Sequence, residues 1–205
     1  FAVFLCSAST GFAQNSANYP QDNFTKKEIY ITMRDGVKLF TAIYTPKDSS
    51  KDKKYPMIMQ RTCYSIAPYG EDKFPAKLGP SELMMKEGYI VVMQDVRGRY
   101  KSEGTFTNMT PVIDNKKAKT DVDEGSDTYD TIDWLVKNVA NNNGKVGQWG
   151  ISYPGFYTAA GILSNHPALK ASSPQAPISD FFFDDFHHNG SFLQSYFFTF
   201  PVFGV

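Results

Sequence analysis

The run Gly150-Ile151-Ser152-Tyr153-Pro154-Gly155 constrains this chain more than any other stretch. Residues 145–149 before it read as a short buried strand. After it, Phe156, Ala159, Ala160 and Leu163 fall at helical spacing. A serine on a tight strand-to-helix turn is held with its hydroxyl out of the sheet, at the positive end of a helix. Such a placement exposes a nucleophile and aims backbone N–H groups at the oxyanion formed when it attacks a carbonyl. Gly150 leaves room for the bend, Gly155 lets helix and strand approach, and Pro154 fits the first helical turn, where its missing N–H is not needed. The competing reading is a surface serine that happens to follow a strand. The second glycine also stands one place later than in the common G-x-S-x-G form.

The elements around this turn predict an α/β architecture. Residues 26–34 alternate apolar and polar side chains, Asp35-Gly36 signals a hairpin, and residues 37–44 alternate again. Residues 55–61 and 89–96 are apolar enough for buried strands, and residues 80–86 form a short helix stopped by Gly88. A longer helix starts at Ser126 with the stripe Tyr129, Ile132, Val136 and Val139, favoured at its start by Asp127 and Asp130. Residues 141–144 (Asn-Asn-Asn-Gly) end it, and residues 170–176 supply another strand. Strands alternating with helices after a leading hairpin imply a mostly parallel sheet covered on both faces.

With 21 basic and 21 acidic residues, composition offers no electrostatic case for nucleic acid or an anionic membrane. At 205 residues the chain can hold one large domain, or one domain and part of another. Residues 1–13 read as a partial signal peptide: Phe1-Ala2-Val3-Phe4-Leu5 is apolar, Ser7 to Thr10 is small, and Ala13 precedes a plausible cleavage point. That predicts export to a periplasmic or extracellular space; a buried N-terminal strand is the alternative. Cys6 follows Leu5 rather than a small residue, which argues against a lipid-attachment cysteine. After processing only Cys63 would remain, so no disulfide framework follows.

Four motifs occur in order: Arg61-Thr62-Cys63-Tyr64, the run from Gln94 through Asp95, Arg97 and Gly98 to Ser102-Glu103-Gly104, Thr131-Ile132-Asp133-Trp134-Leu135, and the serine turn. Together they resemble the α/β-hydrolase family of Xaa-Pro dipeptidyl peptidases, bacterial cocaine esterase and α-amino acid ester hydrolases, over roughly residue 26 to the end. The later glycine is that family's own variant. The resemblance implies an α/β-hydrolase fold, with a mostly parallel sheet opened by an antiparallel hairpin. Residues 24–176 would be the N-terminal part of the catalytic domain, and residues 177–205 the truncated start of a helical cap. It implies a serine hydrolase acting on ester or amide bonds, with Ser152 as nucleophile and the Tyr153 N–H as one oxyanion donor. Its second donor, a tyrosine hydroxyl, matches Tyr64; a phenol donates a strong hydrogen bond while neutral at pH 7. The family usually has proline where Cys63 stands, which bears on loop geometry.

Asp95 and Arg97 read as an ion pair bracing the signature loop beneath the site, and Asp133 and Trp134 as helix packing. The base and acid of a triad should follow the serine in the order Asp or Glu, then His. His166 reads as a loop-shaping residue, and His187 and His188 come before the sheet could be complete, so the expectation is a truncated chain. Asp185, or Asp184 one place earlier, matches a carboxylate that in α-amino acid ester hydrolases helps bind the substrate's α-ammonium group. A solvated or helix-capping pair is the competing reading. The phenylalanines between Phe181 and Phe203 would begin the cap, though core packing explains most of them equally. Expected substrates are α-amino acid esters, β-lactam acyl side chains or Xaa-Pro peptides, with no metal or organic cofactor required. The rival reading is a binding protein on a hydrolase scaffold, or an inactive fragment.

Overall fold

The computed structural model describes residues 18–178, 180 and 182–195; the side chains of Asp184 and Asp185 lie outside the described set. The proposed signal segment of residues 1–13, with Cys6, and the phenylalanines beyond residue 195 also lie outside it. A short helix α1 (Tyr19–Asn23) leads into β1 (Phe24–Thr32), which turns at Asp35-Gly36 into β2 (Lys38–Pro46). These two pair antiparallel from Phe24↔Pro46 to Thr32↔Lys38, the expected hairpin. Then come β3 (Tyr55–Thr62), α2 (Glu82–Lys86), β4 (Ile90–Asp95), α3 (Glu124–Asn138), β5 (Asn142–Ile151), α4 (Tyr153–Ile162) and β6 (Leu169–Gln175). The sheet order is β1-β2-β4-β3-β5-β6. Strand β2 meets β4 antiparallel, while β4, β3, β5 and β6 run parallel, so four strand ends open onto one edge of the molecule.

The central strands are buried on both faces. Alternate residues of β3, Met57 and Met59 against Ile58, and of β4, Ile90 and Val92 against Val91, belong to two separate apolar clusters. The first cluster is closed by Ile132 and Leu135 of α3, the second by Met85 of α2 together with Leu78 and Ile66. Removing a side chain such as Met59, fully buried, would cost about 2–5 kcal/mol through lost transfer energy and the cavity left behind.

Several boundaries differ from the sequence reading: α3 already ends at Asn138 and β5 starts at Asn142, within the residues read as the helix stop, and two helix starts differ for local reasons. Helix α3 starts at Glu124, because Asp123 caps it: its carboxylate accepts from Ser126 N, and the Ser126 hydroxyl accepts from Asp123 N. Asp130 therefore sits in the second turn, where it holds the Arg34 guanidinium at 2.8 Å. Helix α4 starts three residues before Phe156, directly after Ser152. Beyond β6, a π-helical turn (Phe182–Phe186) carries Asp184 and Asp185, and a two-residue hairpin follows, β7 (His187–His188) with β8 (Ser191–Phe192).

Candidate active site

Strand β5 ends at Ile151 and α4 begins at Tyr153, leaving Ser152 alone at the bend with φ +62° and ψ −119°. A non-glycine residue at positive φ costs on the order of 1–3 kcal/mol and persists only where its surroundings impose it. Here they do. Ser152 N–H donates to Gln175 O at 3.0 Å, and Ser152 O accepts from Phe156 N at 3.0 Å. A Cβ on Gly150 would lie 2.1 Å from Pro154 O, and one on Gly155 would lie 2.4 Å from Gln175 O. Both glycines are thus required by backbone approach, the first within the turn and the second between α4 and β6. The Ser152 side chain makes no capping bond to the helix, and the residue is exposed. The Tyr153 N–H, at the helix start, has no acceptor among the described residues.

Tyr153 itself is fully buried, and its phenol is held twice: it donates to Asn108 Oδ1 and accepts from Met109 N at 2.8 Å. Burial pushes that phenol up to about 12. Its ring also receives Tyr64 edge-on, with centroids 6.2 Å apart. Tyr64 follows β3, the parallel neighbour of β5, so adjacency in the sheet brings it beside the serine turn. It is 38% exposed, and partial burial raises its phenol, keeping the O–H a donor at neutral pH. The structure therefore gathers Ser152, Tyr153 and Tyr64 at one place.

The other candidates fall elsewhere. Asp184 and Asp185 are placed only as backbone within the π-helical turn. His166 Nδ1 accepts from Ala168 N at 3.1 Å and its Nε2 lies 3.8 Å from Asp133, a loop contact as expected. His187 stacks on Phe182 at 4.1 Å, and His188 is exposed. None of the three histidines is hydrogen-bonded to Ser152 among the described residues.

The expected Asp95–Arg97 pair does not form. Arg97 instead bonds Asp35 at 2.7 Å and Asp127 at 2.7 Å; burial lowers its pKa, but these partners outweigh that and raise it. Successive residues of an extended segment point to opposite sides, so Asp95 and Arg97 would share a side, yet the chain turns at residues 97–98 and separates them. Asp95 faces the segment after Tyr64. Beneath the site lies a cluster that sequence reasoning missed: buried Arg61 bonds Gln94 Oε1 and Glu124 Oε2, both at 2.8 Å, and lies 3.6 Å from Asp127. Burial raises the Glu124 pKa against the opposing pull of Arg61. The available signal was an arginine inside an otherwise apolar strand, which must find acids to be buried.

Residues 35–203 match the model of the X-Pro dipeptidyl-peptidase (S15) family. The chain belongs to this family. Cocaine esterase of Rhodococcus sp. (strain MB1 Bresler) is 30% identical over 159 residues, which is 75% of this chain and 24% of the esterase. An α-amino acid ester hydrolase structure superposes with a TM-score of 0.75 at 36% identity, covering 97% of this chain and 33% of that one. An aminopeptidase from the marine sediment archaeon Thaumarchaeota archaeon gives a TM-score of 0.73 at 35% identity, over 93% of this chain and 31% of its own. This S15-family chain therefore spans about a quarter to a third of the length of these relatives, and its fold is that of the α/β hydrolases.

Proposed function

We propose that the protein carrying this chain is a serine hydrolase that cleaves ester or amide bonds through an acyl-enzyme on Ser152. The observation that carries this is the exposed Ser152 held at positive φ beside an unaccepted Tyr153 N–H, with the Tyr64 ring packed against Tyr153. In this reading the Ser152 oxygen adds to the acyl carbonyl while its proton passes to a base. The carbonyl oxygen gains the negative charge and accepts from the Tyr153 N–H and the Tyr64 hydroxyl. Collapse expels the alcohol or amine, and water then releases the acid. Each such donor is worth about 2–4 kcal/mol in the transition state. The base and its acid are expected after the serine in chain order.

The finer assignment is to substrates bearing a free α-amino group, by analogy with relatives named as an α-amino acid ester hydrolase and an aminopeptidase. Asp185, or Asp184, would bind the ammonium. Asp185→Asn should then raise KM for amines and spare N-blocked esters; equal losses on both would remove the assignment. Export, read from residues 1–13, belongs to the same proposal, as do small acyl esters, amides or short peptides as partners. The central test is a fluorophosphonate probe on the full-length protein. Mass spectrometry should locate the adduct on the Ser152 peptide, and a clean absence of labelling would end the reading.

A further inference from the structure

Among the described residues little holds the Tyr64 side chain: it is 38% exposed and meets Tyr153 edge-on. The position of its phenol must therefore come from the backbone on either side. On the preceding residue, Cys63 O accepts from Arg99 Nε at 3.1 Å. On the following side the chain turns at Ser65, with φ +84°, and is then caught by Asp95. Asp95 Oδ1 accepts from Ile66 N at 3.0 Å, and its Oδ2 accepts from the Tyr69 hydroxyl at 2.9 Å. The same Tyr69 oxygen lies 2.9 Å from Ser65 Oγ. One carboxylate thus ties down the first, second and fifth residues after Tyr64.

Asp95 is fully buried and forms no ion pair among the described residues, its burial being offset by hydrogen bonds from Tyr69 and from the Ile66 and Lys101 backbone and, at longer range, by the Lys101 charge. A buried carboxylate without an ion pair is a costly choice for stability alone. Its own backbone is fixed in turn: Asp95 O accepts from Ser102 Oγ at 2.6 Å, and that oxygen accepts from Phe40 N at 2.8 Å. The bracing reaches from β2, through the signature loop, to the residues around Tyr64.

We propose that Asp95, through Ile66 N–H and the Tyr69 hydroxyl, is a positioning residue that sets where the Tyr64 phenol stands relative to Ser152. This rests on the reading of Tyr64 as an oxyanion donor. The two can fail separately in a double-mutant cycle. Asp95→Ala and Tyr69→Phe are made in the full-length protein, each alone and each on a Tyr64→Phe background, and steady-state hydrolysis of p-nitrophenyl butyrate is measured. Each single variant should lower kcat roughly ten- to hundredfold with KM changed by less than about twofold, as expected when a reacting geometry is displaced. On the Tyr64→Phe background neither should lower kcat further, because the group being positioned is gone. Equal fold losses in both backgrounds, a loss confined to KM, or a folded Tyr69→Phe variant with unchanged kcat would each overturn the inference and leave the oxyanion reading standing. If Tyr64→Phe alone leaves kcat unchanged, the oxyanion reading falls and takes the inference with it. Tyr69→Phe keeps the ring and opens no cavity, so the test survives if Asp95→Ala does not fold.

Discussion

The two walls of the candidate site are held in place by different means. Ser152 is placed by main chain: two glycines with no room for a Cβ, a proline in the first helical turn, and carbonyl and amide bonds to Gln175 and Phe156. The segment around Tyr64 is tied by side chains instead: Asp95 and Arg99 from a distant segment, with Tyr69 from nearby. The bend itself is written within a few consecutive residues, and its main-chain partner on β6, Gln175 O, does not depend on which side chain stands there. A side-chain device depends on partners about 30 residues away and fails when any one moves.

The comparison can be broken most decisively at the serine. Ser152→Ala should abolish ester hydrolysis by about 10⁴-fold or more while the thermal midpoint stays put, measured by stopped assay and calorimetry. Substantial residual activity would place the nucleophile elsewhere. Next in size, Tyr64→Phe should lower kcat by about 10²–10³, the usual effect of removing one oxyanion donor, with KM little altered. The pH profile sharpens the same point. Because burial raises the Tyr64 pKa, its O–H is intact below the ordinary tyrosine value and is lost only above it. No alkaline fall in kcat traceable to Tyr64 is therefore expected below about pH 10.

The main-chain wall should respond to a methyl group instead. Gly155→Ala forces a contact 2.4 Å from Gln175 O and should cost about 1–3 kcal/mol, visible as a lowered unfolding midpoint in urea. An unchanged midpoint would mean that α4 can slide away from β6. The smallest effect concerns Cys63, which is buried beside both walls with its thiol pushed up to about 11. Cys63 should resist iodoacetamide at pH 8 in the folded protein and become alkylated only in denaturant, read by mass spectrometry of the peptide that carries it. Rapid labelling of the native state would show that the segment carrying Tyr64 opens readily.

The same contrast explains what could be read from the residues in order. The serine turn, the leading hairpin and the buried strands β3 and β4 are local patterns of period and turn chemistry, and they stand where those patterns put them. The start of α3 was missed by two residues because Asp123 and Ser126 cap each other, a pairing of side chains rather than an apolar stripe. An Asp95–Arg97 pair is suggested by closeness in sequence, which does not fix partners across a turn. Arg97 found Asp35 and Asp127, from segments 62 and 30 residues away.

What the residues alone determined is therefore the bend that exposes Ser152 and the alternating α/β order that carries it. Gly150, Pro154 and apolar spacing act on the neighbouring backbone, whereas Gly155 also answers to Gln175 on β6. Only the tertiary structure decided that β3 lies against β5, so that Tyr64 meets Tyr153, and that Asp95 serves the Tyr64 segment. Those outcomes depend on strand order and on which buried polar groups find one another, and the sheet settles both by packing the whole chain at once.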